Sequence, residues 1–121
     1  MTLTMIVLAG LMGASGIILA AVGAHTAPGA GLDSAAYMRL FHAAAVLGGA
    51  ALVQQSLLWR PMMLVVLAAW VLGAVLFSSD IALRAFAGSR LFAMAAPTGG
   101  SILIAAWIGL AAAAIGALMR S

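Results

Sequence analysis

The chain has 121 residues, of which 67% are hydrophobic and 6% charged, and its five Arg and two Asp give a formal net charge of +3. Soluble domains are about a quarter charged and at most about half apolar. Seven charged side chains cannot cover the surface of a soluble monomer of this length, and disorder is excluded because it requires low hydrophobicity.

The composition is that of an integral membrane protein. With no cysteine, disulfides, thiolate zinc sites, iron–sulfur clusters and cysteine nucleophiles are removed from consideration. The arginines stand singly between apolar runs. Nucleic-acid binding needs a clustered basic surface, so no nucleic-acid partner is expected.

About 20 apolar residues cross the hydrocarbon core as a helix. The first such stretch covers residues 3–24 and carries no charge. Met1-Thr2-Leu3-Thr4 offers no basic n-region, so this stretch is expected to be a retained span and not a signal peptide. Residues 25–34 are rich in turn formers, with Asp33 or Ser34 as the expected helix N-cap.

The second span is expected over residues 35–59 and is broken by Arg60-Pro61, because the residue before a proline is pushed out of the helical region. Pro61 suits the first turn of a third span over 62–86. Residues 87–90 read as a loop, and 91–96 as an interfacial segment or an extension of the third helix. Pro97-Thr98-Gly99-Gly100 opens a fourth span over 97–118. The expected fold is all-α, an integral membrane antiparallel four-helix bundle, with residues 1–121 forming one transmembrane domain.

Apolar residues surround these helices, so the hydrophobic pattern does not select an inner face. Small residues four apart do so in lipid, because they let backbones approach. Such runs are Gly16-Ala20-Ala24, Ala45-Gly49, Ala69-Gly73 and Ala105-Gly109-Ala113-Ala117.

Antiparallel spans bring the chain termini and the Arg60 turn to one membrane face, the near face, with Gln54, Gln55, Arg60 and Arg120. Most other polar groups fall toward the far face. The candidate cluster there is His25, Tyr37, Arg39, His42, Ser78, Asp80, Arg84 and Thr98. Asp80 and Arg84 lie one helical turn apart and suit an ion pair, while Arg39 enters the second span at a comparable height. Asp80 is therefore expected to accept from Arg84, Arg39 or both, since an unpaired charge at membrane depth is costly. The plainer alternative has Arg84 snorkelling to the headgroups and Asp80 in wet interface.

His25 and His42 are weak candidates for haem or metal, with Met38 and Met94 as soft ligands for copper(I). Their spacing matches no metal motif, so no metal or cofactor is expected. A histidine hydrogen-bonded to a neighbouring helix is the favoured reading. Pro97, Thr98, Gly99 and Gly100 place backbone N–H groups at a helix start, a weak anion site; proline and small residues also begin helices for conformational reasons alone. Trp59, beside Arg60, is placed as an interfacial anchor, whereas Trp70 and Trp107 are expected to pack. Arginine counts on the two faces do not separate the two membrane orientations.

Several short motifs appear in a telling order: Gly23-Ala24-His25 closing span one, Phe41-His42 in span two, Phe77-Ser78 in span three, Pro97-x-Gly99-Gly100 opening span four, then Trp107. Over roughly residues 13–118 the chain resembles the YgdD-like family of small four-helix inner-membrane proteins, with eukaryotic mitochondrial relatives, for which no activity is established. The resemblance implies fold and location. The chain departs from that family's pattern at Met38 (usually Tyr), Arg39 (usually Gln), Ser79-Asp80 (usually Gly-Ser) and Ala82 (usually Tyr). If positions 39 and 80 touch, the departures convert a neutral pair into an ion pair.

No Ser-His-Asp order, phosphate loop or carboxylate pair is present. The sequence reading is a non-enzymatic membrane protein, a structural or accessory subunit that packs against itself or a larger membrane complex. The alternative is a small binding or transport module holding a proton, anion, lipid headgroup or metal at the polar cluster. Membrane lipids and a homo-oligomer or larger complex are the expected partners, and the bacterial inner (plasma) membrane the expected location.

Overall fold

A computed structural model describes residues 1–121 as four helices joined by short turns: α1 Thr2–His25, α2 Leu32–Gln55, α3 Arg60–Ala87 and α4 Ala95–Arg120. All four are long and apolar enough to cross a membrane. At 1.5 Å per residue, even the shortest reaches about 36 Å against a hydrocarbon core of about 30 Å.

The ends differ from the sequence expectation for local reasons. α2 starts at Leu32 because Gly31 takes a left-handed conformation (φ 78°) and turns the chain straight into the helix. Neither Asp33 nor Ser34 caps it; the Ser34 hydroxyl donates to the Gly31 carbonyl at 3.0 Å instead. α2 also stops at Gln55, short of residue 59, because Ser56 is left-handed (φ 55°) and begins a tight turn. Pro61 occupies the first turn of α3, as expected. Gly88 (φ 69°) ends α3 and its N–H bonds the Arg84 carbonyl. Residues 91–94 therefore do not extend α3, and Ala95 and Ala96 belong to α4.

Neighbours in sequence are neighbours in space: α1 packs on α2, α2 on α3, and α3 on α4, with a lighter α1–α3 contact. α4 leans its backbone on α3 alone. α3 and α4 meet backbone to backbone. A Cβ on Gly99 would lie 2.7 Å from the Phe77 backbone nitrogen and 2.8 Å from the Gly73 carbonyl oxygen. At α2–α3, Gly49 instead makes room for the side chains of Leu67 and Trp70. Of the small-residue runs, Gly16, Gly49 and Gly73 are buried at interfaces, but α4 packs through Gly99, Leu103 and Ala106, with Ala105 exposed. Of the fourth run, Ala105 faces outward, whereas Gly109 lies against Met62 and Val66 of α3.

The central core is formed by Met5, Met12, Val46, Met63, Leu67 and Trp70 with their neighbours. A second, smaller cluster of Leu19, Leu32, Ala35 and Ala36 closes the far end. Ile17, Ile18, Leu72, Ile104 and Ile108 point outward, a surface that water would penalise and lipid accepts.

Candidate functional site

The expected single cluster resolves into three separate arrangements, and its strongest member is Arg39. Seven residues into α2, Arg39 lies about 10 Å below the far end of that helix. Gly16 makes room for it: a Cβ there would sit 3.2 Å from Arg39 Cβ and 2.9 Å from Leu40 Cγ. That close approach of α1 brings Ser15 Oγ within 2.7 Å of Arg39 Nη1. From α3, Ser78 Oγ accepts from Nε at 2.6 Å and Ser79 Oγ from Nη2 at 2.7 Å.

Three helices thus converge on one guanidinium through neutral hydroxyls. Ser15 and Ser78 turn their own protons to backbone carbonyls, of Met12 at 3.1 Å and Ala74 at 2.7 Å. Their lone pairs are left for Arg39. Ser79 makes no such bond and keeps its O–H free. Three of the five guanidinium N–H donors are engaged and two remain.

No carboxylate meets this cation. The expected tie between Arg39 and Asp80 does not form, because Asp80 lies about 200° around α3 from Ser78 and about 100° from Ser79. Asp80 faces the other way. Its Oδ2 pairs with Arg84 Nη2 at 3.4 Å, and its Oδ1 accepts from the Leu91 N–H at 3.1 Å. The Asp80–Arg84 pair is as expected; the bond to Leu91 is not, and it pins the α3–α4 connection against α3. The Arg84 side chain is 41% exposed while Asp80 is 2% exposed.

His42 forms the third arrangement. Nδ1 lies 2.8 Å from the Met38 carbonyl and so carries the proton, and Nε2 accepts from Trp107 Nε1 at 3.1 Å. Both ring nitrogens are engaged, leaving no lone pair for a metal. His25 is exposed at the end of α1 and belongs to no group of three ligand-type side chains. Trp107 packs on Trp70 (centroids 4.6 Å apart), yet it remains partly exposed and serves as a donor across to α2.

The other candidates stand apart. Tyr37 is exposed beside Phe41, and Thr98 is exposed. The helix start fails as an anion site: the Ala95 N–H bonds Phe92, the Thr98 N–H bonds Met94, Pro97 has none, and Gly99 is buried against α3. Ser15 and Ser79 were missing from the candidate cluster. Ser15 could have been found as the one hydroxyl between Thr4 and Thr26 in an apolar span.

Beside Arg39 a groove of about 430 Å³ opens between α1 and α3. Its polar wall is Ser15, Arg39 and Ser79; the rest is Ile18, Leu19, Ala82, Leu83, Phe86 and Leu91. It joins a membrane-depth cation to the outside of the bundle through apolar side chains.

Fold and site together define a small four-helix membrane-spanning protein with a cationic centre held by hydroxyls. The chain belongs to the family described as protein of unknown function (DUF423), whose family model matches residues 19–100. The matched stretch contains Arg39, Ser78 and Ser79. No curated protein and no solved structure matches the chain.

Proposed function

We propose that this is a non-enzymatic binding module of the membrane that holds an anionic group at Arg39. One observation carries the reading: a cation about 10 Å inside the bundle has three neutral acceptors, two uncommitted N–H donors and no carboxylate. Charges at membrane depth normally pair with one another or with backbone carbonyls, and Arg39 bonds only serine hydroxyls. A bound anion completes the site.

The test is ligand-linked stability. A ligand that binds only the folded state raises the melting temperature with its concentration. In maltoside micelles at constant ionic strength, acetate and phosphate should be compared with chloride for the native chain and for Arg39→Gln. An anion-dependent rise confined to the native chain supports the reading, and equal responses from both proteins refute it.

The accessory-subunit reading retains one supporting feature. α4 packs its backbone on α3 alone and leaves Ile104, Ile108, Ile115 and Leu118 exposed, a face suited to a second copy or a larger complex in a bacterial inner membrane. Gentle-detergent purification from the native membrane distinguishes it. A stoichiometric companion protein favours the subunit role, and a lone chain with an Arg39-dependent anion favours the binding role.

A further inference from the structure

We infer that the anion is the carboxylate of a single-chain fatty acid, whose alkyl chain lies in the groove between α1 and α3. The inference rests on the anion-binding reading of Arg39 and adds the chemical class of the occupant.

Charge complementarity fixes the head. Arg39, with two guanidinium N–H donors unengaged, and Ser79, whose O–H has no acceptor, both line the groove. A carboxylate is planar and accepts from a guanidinium fork at two oxygens. The apolar wall fixes the tail. From Ser79 to Phe86 the α3 wall runs about 10 Å, with Ile18, Leu19, Leu83 and Leu91 completing it.

Depth decides between sources. A phospholipid headgroup belongs at the interface, and reaching Arg39 would drag a hydrated phosphodiester and two chains about 10 Å past apolar side chains. A carboxylic acid is compact and brings one chain, which suits a groove of about 430 Å³. Free acetate has no apolar body to concentrate it in the bilayer. A fatty acid partitions there and enters sideways. The chain gains little hydrophobic free energy on moving from lipid to groove, so the charged contact supplies the selectivity.

The test is native mass spectrometry of the full chain released from maltoside micelles, with decanoate, decanol, decylamine, acetate or phosphatidylglycerol added separately. On the native chain, decanoate should be retained at least about tenfold more strongly than decanol or decylamine, and more strongly than acetate, since a charge-assisted bond is at stake. Arg39→Gln should lose about tenfold or more of the decanoate adduct. Ala82→Phe, which fills the groove and leaves Arg39 in place, should weaken decanoate but not acetate.

If acetate or phosphatidylglycerol binds through Arg39 while decanoate does no better than acetate, the fatty-acid assignment is wrong and the anion reading stands. If Ala82→Phe leaves decanoate binding intact, the groove assignment is wrong. If no probe depends on Arg39, both fall. The comparison of decanoate with decanol and decylamine needs no variant, so it decides the matter even where a substitution prevents folding.

Discussion

Trp107 reaches from α4 to donate its indole N–H to His42 on α2 at 3.1 Å, across two helices whose backbones do not pack. The bond ties α4 to a helix other than the one it leans on. It also fixes the histidine with its proton on Nδ1, toward the Met38 carbonyl. Trp107→Phe keeps the aromatic body against Trp70 but orphans His42 Nε2. Hydrogen bonds between membrane helices contribute about 0.5–2 kcal/mol, so this variant should melt measurably lower in micelles. An unchanged melting temperature would mean that the bond does not hold α4.

Gly99 and Gly73 set the α3–α4 distance by backbone contact. Gly99→Ala places a methyl against the Phe77 nitrogen and the Gly73 carbonyl, neither of which is a flexible side-chain end. The helices must separate, and overpacking of this kind costs about 1–3 kcal/mol. Gly48→Ala is the control: nothing lies within 4 Å of its Cβ position, so it should not destabilise and should gain up to about 1 kcal/mol from helix propensity. Thermal melts of the two variants side by side check the prediction; equal melts contradict it.

Asp80 holds two partners of unequal weight. Its pairing with Arg84 joins a buried carboxylate to a partly exposed guanidinium, whose contribution solvent partly screens. The bond to the Leu91 N–H binds the α3–α4 connection. Asp80→Ala should therefore cost about 1–3 kcal/mol, and Asp80→Asn less, because an amide oxygen still accepts from Leu91. Arg84→Ala should cost less than Asp80→Ala, because the carboxylate keeps its bond to the Leu91 N–H. Amide exchange at Leu91 should accelerate in Asp80→Ala and not in Arg84→Ala. If Arg84→Ala is the more damaging, the ion pair and not the loop bond is what Asp80 supplies.

Ser79 and Arg39 should be energetically coupled. A double-mutant cycle of Ser79→Ala and Arg39→Gln should give an interaction of about 0.5–1.5 kcal/mol in micelle stability. A Gly48→Ala and Arg39→Gln cycle should be additive. Additivity in the Ser79 cycle would show that the hydroxyl cradle does not hold the guanidinium.

Much of the fold was legible in the sequence, for a simple reason. Length and apolarity alone determine a span, and the four spans follow from that; Pro61 at the start of α3 follows from proline's fit to a first helical turn. Helix ends were less legible, because Gly31, Ser56 and Gly88 act through left-handed backbone states. Of these only the glycines advertise that state by residue type.

The site was legible in depth but not in azimuth. Arg39, Ser78 and Asp80 do share a level, yet 100° per residue separates those that meet from those that do not. In helices apolar on every side, no pattern reveals which way Ser15 or Asp80 turns. The partners of His42 and Asp80 were hidden for a related reason. Trp107 reads as packing, and the backbone N–H of Leu91 carries no sequence signature at all.

Solid-state NMR of the bilayer-embedded protein, with 15N-labelled arginine and 1-13C-decanoate, tests the central claim most directly. The account predicts dipolar dephasing that places the carboxyl carbon about 4 Å from guanidinium nitrogen, as a charge-assisted N–H···O bond requires, and loss of that dephasing in Arg39→Gln. Dephasing that is absent from the native chain, or that persists unchanged in Arg39→Gln, would contradict it.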